Sequence, residues 1–248
     1  MRVDCHVHID CTYLGGLIYG GDKTDLAAMA KEFKLNRMMV SSAKAIMYDF
    51  VEGNTDTLRL MKDLPDRVWG YCVLQPRFGE LALKEFDRCV VQGGMKGVKL
   101  YPVLPLWAAD EASIEPMMEK IARARVPSLI HPTPVEPFFK LADRFPDAPL
   151  ILAHMGGGGG LQGLVGPIHE AKKHDNVYLD TATSHFDANA IEEAVRVVGA
   201  DRVLYGSDFP LLEPAAQMAK VSSAKIKEED RRLVLGENMN RLVKGRKV

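Results

Sequence analysis

The sequence predicts a (β/α)8 TIM barrel, and three observations point there. Eight short apolar runs alternate with longer helix-like stretches along the whole chain. Parallel strands need a connecting element between them, so this alternation implies a parallel sheet. The length of 248 residues is usual for eight such units. No linker, composition break or solenoid-length repeat divides the chain, and one domain over residues 1–248 is the simplest organisation. A count of eight fits closure into a barrel better than an open doubly wound sheet.

The apolar run Val3–Ile9 is the first strand. A helix over Asp25–Lys34 follows, with Thr24 as a plausible N-cap, and leads to a strand at Arg37–Ser41. Asn54 is placed to cap the next helix, Thr55–Lys62, ahead of the strand Val68–Leu74. Helix Leu81–Val91 precedes strand Gly97–Tyr101, Glu115–Arg125 precedes Ser128–His131, and Glu136–Arg144 precedes Leu150–His154. Helix Pro167–Lys173 leads to Val177–Asp180, and Ala188–Val198 to Val203–Gly206. Helices Glu228–Leu235 and Asn238–Lys244 close the chain, with Gly236 as a stop between them.

Composition narrows the function classes. Hydrophobic residues are 47% and charged residues 26%, the balance of an ordinary globular protein. A formal net charge of -1 without a dense basic stretch argues against nucleic acid as a partner. No apolar run approaches the ~18 residues of a membrane span. Cys5, Cys11, Cys72 and Cys89 lack Cys-x-x-Cys spacing and read as reduced thiols. The opening Met1-Arg2-Val3-Asp4 is already strand, which leaves no room for a signal peptide, so a cytoplasmic location is expected. A homo-oligomer is compatible with this composition.

Residues two apart in a strand share a face. Asp4, His6 and His8 are therefore expected on one side, with Val3, Cys5, Val7 and Ile9 on the other, Cys5 towards the helices. Two imidazoles a pleat apart can grip one metal ion, and they equally suit a hydrogen-bonded pair in an exposed strand. The other strand ends decide between these readings. In a (β/α)8 barrel functional groups gather at C-terminal strand ends. Strand 4 ends at Lys99-Leu100-Tyr101, strand 5 at His131, strand 6 at His154, and strand 8 runs into Gly206-Ser207-Asp208. Metal-ligand types thus recur at strand ends, where a barrel would bring them together.

The motifs Asp4-Cys5-His6-Val7-His8, Gly97-Val98-Lys99-Leu100-Tyr101-Pro102, Ile130-His131-Pro132, Leu152-Ala153-His154-Met155-Gly156-Gly157 and Tyr205-Gly206-Ser207-Asp208-Phe209-Pro210 follow in that order. In these motifs the chain resembles the amidohydrolase superfamily, specifically its amidohydrolase-2 branch. The resemblance implies that His6, His8 and His131 bind a divalent metal, with Asp208 as a further ligand. Three nitrogens and one oxygen suit a single Zn²⁺, and Mn²⁺ or Fe²⁺ would accept the same set. Such an ion lowers the pKa of bound water towards ~7. Asp208 would then shuttle the water's proton to a leaving group, and His154 would polarise the substrate or assist the base. Some relatives carry a carbon dioxide adduct on a strand-4 lysine. The setting of Lys99 looks more like the mononuclear branch, with a free amine that attracts an anionic substrate.

Other residues are secondary candidates. Arg77 could pair with a substrate carboxylate, or simply be a solvated loop arginine. Tyr101 and Trp107 could line an apolar wall, and His185 could reach the barrel mouth. Cys11 lies just past the first strand. His169 and His174 read as surface residues. The glycines of 156–160 suggest a mobile loop or an anion cradle, without the Lys-Ser/Thr ending of a P-loop.

The expected activity is metal-dependent hydrolysis of an amide, lactone or ester in a small molecule, with Lys99 suited to an anionic one. The alternative on the same site is nonoxidative decarboxylation of an aromatic or unsaturated acid; short connections between elements favour hydrolysis. A nuclease of the TatD type would place glutamate where Lys99 stands. A non-catalytic barrel would have little reason to keep every ligand type.

Overall fold

In the computed structural model, residues 1–14, 20–102, 112–131, 134–157, 160–184 and 189–248 are described. Trp107, His185, Gly158 and Gly159 lie outside them. Among the described residues, eight strands form one sheet in sequence order, each parallel to the next. They are β1 Val3–Ile9, β2 Arg37–Ser42, β3 Val68–Val73, β4 Gly97–Leu100, β5 Ser128–Ile130, β6 Leu150–Leu152, β7 Val177–Asp180 and β8 Val203–Leu204. The chain leaving β8 returns to β1 and closes the ring. The Cys5 N–H donates to the Tyr205 carbonyl at 2.9 Å and the His8 N–H to that of Phe209 at 2.7 Å.

The helices between them are α1 Lys23–Glu32, α2 Ala43–Met47, α3 Phe50–Asp63, α4 Glu80–Phe86, α5 Glu115–Ala124, α6 Glu136–Arg144, α7 Gly160–Ala171, α8 Ala190–Val198, α9 Pro214–Ser223, α10 Glu228–Arg232 and α11 Asn238–Lys244. Two caps differ from the sequence expectation. Asp22, not Thr24, caps α1, in a capping box with Asp25. Asp49, not Asn54, caps α3, where its carboxylate accepts from the Val51 and Glu52 N–H groups. α2 and α9 are helices that the apolar alternation does not announce. Helix α7 starts well before Pro167, and β5, β6 and β8 end before the residues expected to finish them. After Leu152 the chain turns sharply, with His154 (φ 57°) and Met155 (φ 53°) in the left-handed region. No helix among the described residues is long and apolar enough to cross a membrane.

Side chains from the strands divide into two cores. Val7, Ile9, Val40, Leu74, Leu100 and Leu152 pack against the helices. Val3, Cys5, Met39, Tyr71, Leu129, Ile151 and Leu204 pack with one another and with Met239 and Leu242 of α11, filling the barrel interior. This division corrects the expected parity of β1. Its register shifts between Asp4 and Val7, with one extra residue against β2. Cys5 therefore faces the interior rather than the helices. Asp4, between Val3 and Cys5, points to the other side and does not share the face of His6 and His8.

Candidate active site

His6 and His8 end β1 as buried side chains, with Nε2 atoms 3.1 Å apart. Asp208 stands just past β8 at φ 57°, and its Oδ1 lies 3.3 Å from His6 Nε2 and 3.2 Å from His8 Nε2. A metal bonded at about 2.1 Å to each donor would hold them roughly 3.0–3.4 Å apart, in octahedral or tetrahedral geometry. The outer nitrogens are already committed. His6 Nδ1 is 2.7 Å from Asp180 Oδ2, and His8 Nδ1 is 3.0 Å from Ser41 Oγ. With the His6 proton drawn to Nδ1 by that carboxylate, its Nε2 lone pair faces the other donors, the usual arrangement behind a metal ligand. Asp208 Oδ1 has no hydrogen-bond partner, and neither does the buried Nδ1 of His131. Two imidazole nitrogens this close to a carboxylate oxygen crowd acceptor atoms together, a crowding that Lys99 Nζ, 3.0 Å from His6 Nε2, relieves only in part. This donor set fits a divalent metal ion.

The protonation states agree. Burial, and then the charge of Lys99, hold His6 well below the usual imidazole range, and burial lowers His8 as well. His131 is pushed down to about 3, by burial first and then by His154. Burial opposes ionisation of Asp208, but His6 and His8 outweigh it and keep the carboxyl low. Neutral imidazoles and an ionised carboxylate are the forms that bind metal.

A cavity of about 220 Å³ is lined by His6, His8, Ile46, Tyr101, His131, His154, Asp208 and Leu211. The residues expected from strands 1, 4, 5, 6 and 8 thus meet in one place. His131 lies outside the tight group of His6, His8 and Asp208. Its ring centroid is 4.5 Å from that of Tyr101 and 5.0 Å from that of His154. Lys99 is fully buried, its Nζ 3.0 Å from His6 Nε2, and burial lowers its ammonium to about 8. No carboxylate forms an ion pair with it among the described residues. Cys11 is buried near Asp208, and burial followed by that charge pushes its thiol up to about 12. A larger cavity of about 610 Å³ shares His131, His154 and Asp208, and extends past Gly156, Gly157, Thr183 and Leu212. Arg77 is exposed on the turn Pro76–Phe78 and lines neither cavity. His169 is exposed, but His174 is buried, stacked on Phe139 and paired with Asp143.

Asp180 is the residue the sequence reading passed over. It ends β7, fully buried, and one side chain serves four groups. It accepts from the Ala182 N–H (2.9 Å) and the His154 N–H (3.3 Å), pairs with His6 Nδ1, and lies 3.7 Å from Cys5 Sγ. The strand-end rule that picked out His131 and His154 applies equally to this position. His154 Nδ1 meets the Ala182 carbonyl, which places its proton on that nitrogen and leaves Nε2 as an acceptor. Gly206 makes room for this arrangement: a Cβ there would stand 2.1 Å from Asp180 Oδ1 and 3.0 Å from His6 Cβ. Gly206→Ala is expected to push Asp180 off His6 and weaken metal binding about 10- to 100-fold. Titration of the folded variant with metal checks this.

An amidohydrolase family model matches residues 3–244. The chain belongs to the amidohydrolase family. It is 25% identical over 241 residues to the gamma-resorcylate decarboxylase of a Polaromonas species, covering 73% of this chain and 71% of that one. Among solved structures it resembles the 2,6-dihydroxybenzoate decarboxylase of Rhizobium (TM-score 0.77, 18% identity, 98% of each chain). It also resembles a dihydroxybenzoic acid decarboxylase of Polaromonas with bound manganese and the inhibitor 2-nitroresorcinol (TM-score 0.76, 20% identity, 98% of this chain and 96% of that one). At these identities the structural likeness establishes the barrel.

Proposed function

We propose that this amidohydrolase-family protein is a metal-dependent, nonoxidative decarboxylase of a small aromatic carboxylic acid. The reading rests on the group of His6, His8 and Asp208 at the cavity, taken with a family relative of similar extent that is a decarboxylase. Hydrolysis, the activity first expected from short connections between elements, is the lesser reading because that curated relative is a lyase. His6, His8 and Asp208 would hold the ion, with His131 in the same cavity as a further donor. Zn²⁺ suits this mixture and Mn²⁺ is the ion in one structural neighbour; elemental analysis of the purified protein separates them. The bound ion supplies a positive anchor and Lewis acid for substrate oxygens.

The chain's own groups supply the rest. Tyr101, Ile46 and Leu211 give the substrate ring apolar walls, and the Lys99 ammonium, which lines neither cavity but lies 3.0 Å from His6 Nε2, favours an anionic substrate through its charge. As the bond to the carboxyl group breaks, its electron pair stays on the ring carbon and carbon dioxide leaves. That carbon then takes one proton. Asp208 and His154 Nε2 both line the cavity as acceptors, so one of them first takes up a solvent proton and then passes it to that carbon.

The test is incubation of the metal-loaded protein with 2,6-dihydroxybenzoate and a panel of related acids in deuterium oxide. Decarboxylation releases one carbon dioxide per turnover and leaves one deuterium at the vacated carbon. Run in ¹⁸O-water on amides, esters and lactones, a hydrolase would instead put solvent oxygen into its product. That outcome, without carbon dioxide release from any acid, overturns the proposal. Lys99→Met is expected to raise KM for the acid about tenfold or more, with metal content unchanged, as steady-state kinetics and elemental analysis would report.

A further inference from the structure

We propose that Asp4 is a positioning residue whose carboxylate ties the two ligand-bearing segments together and so sets the spacing of His6, His8 and Asp208. This rests on the metal-site reading above. Along the seam between β1 and the chain leaving β8, direct backbone bonds run on both sides of a gap. Cys5 N–H donates to Tyr205 O (2.9 Å) on one side. On the other, Asp208 N–H donates to His6 O (2.8 Å) and His8 N–H to Phe209 O (2.7 Å). Between them the bulge in β1 takes the His6 N–H out of the regular ladder. The Ser207 N–H across the seam likewise has no carbonyl to meet.

Asp4 Oδ1 fills the gap, accepting from His6 N–H at 3.1 Å and from Ser207 N–H at 3.0 Å. One oxygen thus bridges the backbone of the first ligand to the residue preceding the third. Asp4 is fully buried, its Oδ2 has no partner, and Ser207 holds the carboxyl through its side chain as well as its N–H. Burying a carboxylate is costly unless something offsets it. Two backbone donors, each costly to leave unpaired, are what it satisfies. A displacement of about 0.5 Å between the segments is enough to spoil a metal constellation.

The test uses Co²⁺ as the probe, with affinity and visible absorption as readouts. Asp4→Ala is expected to weaken Co²⁺ binding at least tenfold and to change the absorption bands. Asp4→Asn keeps an oxygen acceptor in place and is expected to restore affinity to within about threefold of the parent. A Leu26→Ala variant, which empties part of the helix-facing core, controls for lost stability; it should lower Tm yet leave Co²⁺ affinity unchanged. Folded Asp4→Ala protein that binds Co²⁺ as tightly as the parent, with the same bands, overturns the proposal. So does Asp4→Asn binding as weakly as Asp4→Ala. Failure of the parent protein itself to bind Co²⁺ would instead overturn the metal-site reading.

Discussion

Alanine at His6 or at His8 is expected to empty the metal site and abolish turnover together. Each imidazole supplies one of three donors that lie 3.1–3.3 Å apart. Two donors bind a divalent ion far more weakly than three, and no neighbouring side chain on β1 can swing in, because Val7 packs against the helices. Metal should fall from about one per chain to below about 0.1, and turnover at least about 10³-fold. The folded state should survive. The metal-free parent holds mutually repelling lone pairs and a carboxylate in a buried site, a cost to stability that functional sites commonly carry. Removing the His8 imidazole relieves part of it, so the apo Tm of that variant should hold, whereas removing His6 also takes a partner from the buried Asp180 carboxylate and should lower Tm. Ser41→Ala, which touches only His8 Nδ1, should cost a smaller 10- to 100-fold in affinity. Elemental analysis, circular dichroism and kinetics on the same preparations check all three expectations. Full activity in a metal-free preparation of either histidine variant would sink the metal-dependent mechanism.

The strand ends were legible because a parallel barrel leaves polar side chains few other places to gather. His8, His131, His154 and Asp208 stand at or just past the end of an apolar run, with His6 one pleat before His8, and the run itself is visible as sequence. What one run does to another is not visible. The bulge that turns Cys5 inward carries no glycine or proline in Asp4-Cys5-His6-Val7, so period-two counting passed straight through it. Asp180 stood at a recognised strand end, but its importance lies in a bond to a histidine 174 residues earlier in the chain. Arg77 was placed in the right loop, yet the short turn after Pro76 leaves it outside both cavities. Asn54 shows the same limit inside a helix. Asparagine before a helical pattern reads as a cap, and nothing local distinguishes it from Asp49, where the helix begins.

Asn54→Leu is therefore expected to destabilise the protein heavily, by an effect no capping role would produce. The Asn54 amide is fully buried in α3 and bridges that helix to β3 and α4. Its Nδ2 donates to Val73 O at 2.9 Å and to Glu85 Oε1 at 2.9 Å, while its Oδ1 accepts from Val73 N–H at 2.8 Å. Leucine matches the shape and removes all three bonds. Val73 loses partners for both backbone groups, and the buried Glu85 carboxylate is left to Arg88 and Cys89. At about 1–3 kcal/mol for each stranded group, the loss should reach roughly 3–5 kcal/mol. For a chain of this size that lowers Tm by roughly 6–20 °C. Asn54→Asp should be worse near neutral pH, because it sets a second carboxylate against Glu85. The new carboxyl, buried beside a like charge, would have a folded pKa above its unfolded one. Its folded state then binds more protons than its unfolded state, so stability falls as pH rises and returns as pH drops towards 5. Urea unfolding of both variants at pH 5 and pH 7.5 checks the magnitude and the sign. A Tm within 2 °C of the parent for Asn54→Leu, by a margin of roughly 1 kcal/mol or less, would show that the bridge contributes little.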